Sequence, residues 1–458
     1  MKRSLSISLL VGLALAVVAG VRADEVLEDQ ESLFSGGGSF TFKYYNYVST
    51  PRRLPPGVPP TRTRHHTLRL QSYLWGQLRE SEDTFALYGK LAHEVWHQFR
   101  PAGKAPFNWP DEVVVDQLYL DIPQLFSPAL SLRVGRQDLA YGSGRLLADG
   151  TPGDQSRTGF FDAVKLQITF DEQNQVDLLG IYNTPKAGLA LGNRDRHLTG
   201  FNPFDNDLTE SGGGIYARLL QQQAVPLDLY YLLKVESRWL NRRPGSDEVV
   251  REAGRKTHTV GARLLPRISQ NVTAELEGAW QFGSIDNGGS IRAFMLYGGV
   301  DFVLPTEIYG VTPWIRPAVY FLSGDRQSTA RDEGWNPIWS RYPQLSDLYI
   351  GSFGADKGGY WSNLIYPHLR LTLPFATRHD LSISAGTLLA HEKDGPADGG
   401  RRGDLYSVTY RVPLAKSLWL ESDSLAARVF LEMFDPGSYY HEAAHKSYFI
   451  RCDLSYAF

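Results

Sequence analysis

Two stretches carry zinc-protease spacing, His93-Glu94-Val95-Trp96-His97 and His441-Glu442-Ala443-Ala444-His445. On a helix that spacing sets both imidazoles on one face, where one zinc reaches both and the glutamate acts as base. The first stretch instead continues an alternation of Phe85, Leu87, Gly89 and Leu91, which is a strand pattern. Residues four apart on a strand stand roughly 13 Å apart. Zinc–nitrogen bonds of about 2.0–2.1 Å cannot bridge that. The second stretch lies in a loop, and no Glu or His follows it as a further ligand. Gly142-Ser143-Gly144 lacks the spacing of a nucleophile elbow. The single cysteine, Cys452, excludes a disulfide framework and any Cys-based metal centre. The expectation is a protein that is not an enzyme and needs no metal or cofactor.

The other chemistry-bearing side chains are charges placed at alternate positions. Lys43, Arg69, Arg79, Lys90, Arg133, Lys165, Arg218, Lys234, Arg263, Arg316, Arg370, Arg428 and Arg451 fall on the polar face of alternating runs. Glu94, Asp177, Asp228, Glu236, Glu275, Glu277, Glu432 and Asp453 share that face. A guanidinium presents a fixed fork of donors that suits carboxylates. A ring of such groups at a constriction selects anions. The same charges equally suit pairing across strands, and the sequence leaves both readings open.

The elements that carry these charges are strands. In Ala163-Val164-Lys165-Leu166-Gln167-Ile168-Thr169-Phe170 the alternation is complete. In the run from Thr67, Leu68, Leu70, Leu74 and Leu78 share one face. Similar runs begin near Ser39, Thr84, Glu112, Leu130, Asn174, Gly212, Leu227, Thr257, Val272, Ile291, Pro313, Asn363, Leu381, Arg402, Ser424 and Lys446. That gives about 18 strands, each near the ~10 residues that cross a bilayer at a tilt. Long and short gaps alternate between them, from the Pro-rich 49–63 to the minimal 171–173 and the longest, 323–362. A membrane barrel does this, with short periplasmic turns and long external loops. A soluble β-sandwich has no reason to. The longest gap, with Trp335, Trp339 and Trp361, is a candidate to gate the pore or recruit the solute; its aromatics equally suit anchors at the membrane interface, which is the expectation preferred.

Composition agrees. The 458 residues include 24 Tyr, 22 Phe and 44 Gly, with a formal net charge of −3. That balance gives no reason to expect nucleic acid as a partner. A mean hydropathy of −0.28 argues against a bundle of membrane helices. Length alone predicts about three domains, but a barrel grows by adding strands, so residues 24–458 read as one domain. Lys2 and Arg3, the apolar run to Val21, and Val21-Arg22-Ala23 form a secretory signal peptide over residues 1–23. At the other end Tyr448, Ile450, Cys452, Leu454, Tyr456 and Phe458 are apolar at every second position. This resembles the terminal signature that the outer-membrane assembly machinery recognises. Cys452 falls among the lipid-facing residues, as a small apolar group with no redox role.

One segment is more specific. Gly135-Arg136-Gln137-Asp138-Leu139-Ala140-Tyr141-Gly142-Ser143-Gly144-Arg145-Leu146, continued by Arg157-Thr158-Gly159-Phe160-Phe161-Asp162, resembles the alginate-export family of outer-membrane porins. The resemblance implies an 18-stranded, monomeric, antiparallel up-and-down barrel in the bacterial outer membrane. It implies an arginine-rich constriction that passes an acidic polysaccharide, and carries over Arg136, Arg145, Arg157 and Asp162 as pore or inward-loop residues. An inserted residue before Asp162 departs from the family pattern and bears on which way Asp162 faces. With Arg69, Arg133, Arg218, Arg316, Arg370 and Arg428 these form the candidate solute path. The expected partners are an anionic polysaccharide or a small anionic solute, membrane lipid and the assembly machinery. The alternatives are a porin taking up small anionic or aromatic nutrients and, outside transport, an exported soluble β-protein or an outer-membrane hydrolase.

Overall fold

The computed structural model describes residues 34–49, 63–79, 85–100, 113–148, 160–184, 208–242, 249–326, 328–340, 345–349, 362–375, 379–393, 399–440 and 444–458. The segment 1–23 lies outside them, as do Arg157, Trp361 and His441.

Eighteen antiparallel strands form the wall. The first nine are β1 Phe34–Ser49, β2 Thr63–Arg79, β3 Ala86–Arg100, β4 Val113–Ile122, β5 Leu130–Gln137, β6 Phe161–Thr169, β7 Gln175–Asn183, β8 Glu210–Leu219 and β9 Leu227–Glu236. The second nine are β10 Arg255–Leu264, β11 Val272–Ile285, β12 Ser290–Val303, β13 Trp314–Leu322, β14 Leu364–Phe375, β15 His379–Leu389, β16 Arg401–Lys416, β17 Ser424–Pro436 and β18 Ser447–Ala457. Each pairs with the next, and β1 pairs with β18 from Ser39↔Ala457 to Val48↔Tyr448, so no edge is left open. Closure is what permits strands to span lipid, because every backbone donor then has a partner inside the protein. Phe458 seals the seam, exchanging backbone hydrogen bonds with Gly38 at 2.9 and 3.0 Å. A Cβ on Gly37 would stand 2.4 Å from the Phe458 carbonyl, so this close approach requires glycine.

Observed strands begin within a few residues of the expected runs. The largest difference is β1, which starts at Phe34 rather than Ser39. Gly36, Gly37 and Gly38 pair fully with β2 but carry no side chains to show a period.

Alternation sorts the side chains as a membrane barrel must. On β18 Tyr448, Ile450 and Leu454 are exposed, and Cys452 with them, whereas Phe449, Arg451 and Asp453 are buried. On β11 Leu276, Trp280 and Phe282 face out while Glu275, Glu277 and Gln281 are buried inside. The apolar outer surface is therefore a continuous band, and the polar interior is where function lies. Among the described residues no helix is long and apolar enough to cross a membrane.

Candidate functional site

Two segments fold inward from the loop end and fill one side of the lumen. The first follows β5. Its Arg145 reaches the opposite wall, donating to Glu275 at 2.8 Å and Glu277 at 2.6 Å on β11, with its guanidinium 3.5 Å from the Tyr297 ring centre. Burial works against that charge, but Glu277 and Glu275 outweigh it and hold the guanidinium's pKa above its ordinary value. Tyr141 donates to Asp177 on β7 at 2.7 Å. Burial, then Asp177, pushes that phenol's pKa up. Gly142 turns the chain at φ +58°, where a Cβ would meet the Tyr216 hydroxyl at 3.0 Å.

The second segment follows β13. Leu147–Ala148 of the first pairs in parallel with Trp339–Ser340 of the second. Ser340 Oγ donates to the Gly144 carbonyl at 2.6 Å. Lys234 on β9 donates to the Ile338 carbonyl at 2.8 Å, and Gln281 on β11 exchanges hydrogen bonds with Asn336 at 2.6 and 3.1 Å. Trp335 and Trp339 are fully buried in this body. The expectation of interfacial anchors is corrected for both: they fill the barrel, where loops from two sides leave an apolar space that only large rings close.

The plug is lined by matched charges. Arg263 donates to Glu275 at 2.9 Å and Asp228 at 3.2 Å. Arg218 meets Asp177 at 3.0 Å. Tyr216 and Tyr230 donate to Asp228 and Glu277 at 2.8 and 3.0 Å. Here the inward charges pair across strands.

The opposite side of the lumen differs. A cavity of about 210 Å³ lies against β14–β17. Arg370, Arg411 and Arg428 line it with the hydroxyls of Ser382, Ser384, Ser407 and Thr409, the ring of Phe430, and Leu345–Asp347 from the second segment. Among the described residues Arg370 has no ion-pair partner. Arg411 meets Asp380 at 3.0 Å at the turn end. Arg451 is wholly buried and contacts Asp347 at 2.8 Å and Asp453 at 3.2 Å. Two pairs of like charges stand directly opposite in register here, Arg316↔Arg370 and Arg411↔Arg428. Opposed like charges on a sheet cost stability, so packing alone does not account for them.

The structure places the sequence candidates in three groups. Arg370 and Arg428 line the cavity, with Arg316 beside them, held by Asp301 and 3.8 Å from Glu275. Arg145 and Arg218 hold the plug. Arg69 and Arg133 sit on the wall with Glu94 and Asp121 at 3.3 and 2.8 Å. Arg136 and Asp162 stand apart. They share the alternation of the exposed Val134 and Val164, not that of Arg133 and Lys165. Arg136 gives Nε and Nη2 to Asp162 at 2.8 and 3.0 Å and Nη1 to the Val115 carbonyl at 3.1 Å, against the Phe160 ring. Their expected pore role is revised to a lock on the outer side of the wall. Among the cavity residues outside the sequence candidates, Arg411 extends the polar alternation Ser407, Thr409, Arg411, a signal the sequence did contain. Asp347 lies in a loop without period and left none. The His93–His97 stretch lies in β3, as the strand pattern required.

The family model described as alginate export matches residues 61–447. No curated protein sequence matches. Among solved structures, Pseudomonas aeruginosa OccK5 (OpdH) is 12% identical with a TM-score of 0.55, covering 93% of this chain and 98% of that one. OccK9 (OpdG) from the same organism gives 11% and 0.54, with 93% and 98% covered. OpdK, also from Pseudomonas aeruginosa and solved with vanillate, gives 11% and 0.53, again with 93% and 98% covered. At such identity the likeness is one of fold, and the fold is that of outer-membrane porins, which are channels and not enzymes.

Proposed function

We propose that this chain, which belongs to the alginate-export family and forms an outer-membrane channel, passes an anionic solute along the β14–β17 wall. Arg370 carries the reading. It is a cation without a carboxylate partner among the described residues, beside Arg428, in a cavity whose other groups are mostly hydroxyls. A uronate polysaccharide such as alginate presents one carboxylate and several hydroxyls per sugar, and this lining offers guanidiniums and hydroxyls in the same proximity. Carboxylates would step between Arg370, Arg428 and Arg411, each contact weak enough to release, since conduction needs exit as well as entry. Arg316 shares its charge with Asp301 and adds to the field. The body built on Arg145 and Trp339 confines solute to this side. The chain acts as a monomer, exported by the 1–23 segment and inserted through its terminal strand.

A second reading rests on the cavity's size. About 210 Å³ suits a small carboxylate as well as one sugar of a polymer, and one fold neighbour was solved with vanillate. Planar-bilayer recording separates the two. Under a salt gradient the reversal potential should show anion preference. Uronate oligomers should block more strongly as they lengthen if the polymer is the solute, and no better than vanillate if a small carboxylate is. Cation preference overturns both.

A further inference from the structure

On the outer face, at the loop end of β9–β12, a row of side chains runs across the strands in register. His258 stands opposite Phe282, and Phe282 opposite Arg292. The His258 and Phe282 rings stack with centres 5.0 Å apart and planes 5° from parallel. Tyr231 shares a hydrogen bond of 2.7 Å with His258 Nδ1. Just below lie Trp280 and Phe294, 6.3 Å apart, with the Arg292 guanidinium 5.3 Å from the Trp280 ring. These rings mark the upper limit of the apolar band, where aromatic girdles meet lipid headgroups.

Two exposed cations flank them, Lys256 above the rings and Arg292 level with Phe282. Lys256 lies opposite Ser284, and Arg292 one step below Ser290, the other neighbour of Ser284. Among the described residues neither has a carboxylate partner. The nearby Asp286 is taken by Arg238 at 2.8 Å. The two strands that carry them are separated by one strand, at ~4.8 Å per strand. Lys256 stands level with Ser284, and Arg292, level with Phe282, has its guanidinium against Trp280, so a headgroup phosphate lying over Phe282 between the two strands is within the span of both long side chains. An arginine fork and a lysine point charge are the two side chains that bind phosphate best. Aromatics directly beneath suit the sugar and upper acyl chain that join a headgroup phosphate to the membrane.

We propose that Lys256 and Arg292 form a docking site for the phosphate of an outer-leaflet glycolipid, with His258, Phe282 and Trp280 as its floor. The site faces lipid, not lumen. It rests on the membrane-spanning barrel and is independent of the solute proposed above.

The test uses the full mature barrel, refolded into detergent and titrated with bisphosphorylated lipid A by native mass spectrometry. Wild type should retain one lipid through mild activation. The Lys256→Ala/Arg292→Ala double variant should retain at least tenfold less, while Lys256→Arg retains it. Heat-modified gel mobility establishes that each variant is folded. Dephosphorylated lipid A should bind wild type no better than the double variant. Equal retention by wild type and double variant overturns the proposal. So does displacement by millimolar inorganic phosphate, which would make the site one for free anions.

Discussion

Arg316 and Arg370 face each other directly across β13 and β14, and among the described residues only Arg316 has a carboxylate of its own. The pair costs stability by mutual repulsion and leaves one guanidinium to the cavity. Among the described residues the plugged side pairs its charges across strands, whereas the open side keeps Arg370 without a carboxylate. On the proposed path a solute meets that guanidinium.

Replacing Arg370 by Ser should therefore weaken anion preference without loosening the wall. One charge a few ångströms from a path in water is worth roughly 1 kcal/mol, or about a fivefold change in a ratio of populations. The expected result is a reversal potential nearer zero and a permeability ratio lower by about that factor. The effect should shrink in concentrated salt, where screening falls to ~3 Å at 1 M. An unchanged ratio at low salt removes Arg370 from the path. Relief of repulsion with Arg316 should leave thermal stability equal or slightly higher.

The plug answers differently. Arg145 holds Glu275 and Glu277 together in the interior, and its removal leaves two buried carboxylates short of a partner. Breaking a buried pair costs about 3–5 kcal/mol. Trp339→Ala empties a site of large volume, for about 3–5 kcal/mol. Both losses fall on the inward segments, because the strands keep their own hydrogen bonds. Each variant should give larger and noisier single-channel conductance with a barrel that still resists SDS at room temperature. Conductance equal to wild type in both would mean that these segments do not limit flow.

How much of this was legible in the sequence follows from what each feature leaves behind. Strands announce themselves because a wall with lipid outside and water inside forces opposite residue types onto alternate positions. That is why the strands at Leu130 and Ser424 begin where the alternation does. The closing strand was equally plain from Tyr448 to Phe458. The charges of the lumen were visible as types but not as pairs, since pairing depends on register between strands. Register sets Arg370 opposite Arg316 and, among the described residues, without a carboxylate, whereas the inward fold of the segment after β5 carries Arg145 to Glu275 and Glu277. The inward fold of 335–340 left no period at all. Its tryptophans fit an interface and an interior equally well by composition, and only the contacts with Lys234, Gln281 and Gly144 decide for the interior.

Cys452 offers a direct check on which face looks outward. It is exposed on β18 between Ile450 and Leu454, with Arg451 and Asp453 turned inside. In folded barrel within bilayers, a membrane-soluble maleimide should label it and a charged, water-soluble one should not. In urea both should react. Protection from the water-soluble reagent that fails in the folded barrel would put β18 in the opposite phase and move Arg451 out of the lumen.

The turn between β6 and β7 gives a pH-dependent prediction. Asp171 accepts from the Asn174 amide at 2.9 and 2.8 Å and from the Gln173 N–H at 2.7 Å. First the Asn174 amide and then the Gln173 N–H hold its carboxyl below the usual value of 3.8. A carboxyl whose pKa falls on folding stabilises the fold above its unfolded pKa and loses that effect as pH drops through the lower folded one. The difference in urea midpoint between wild type and Asp171→Ala should thus be constant from pH 7 down to about pH 4, where the unfolded carboxyl begins to protonate. Below that it should shrink, as wild type protonates and both chains then lack the charged acceptor. Because the group is fully exposed the difference is small, and unfolding in lipid vesicles followed by tryptophan fluorescence at several pH values is the measurement. A gap that widens in acid would mean that Asp171 is held in its neutral form, contrary to three donors aimed at its oxygens.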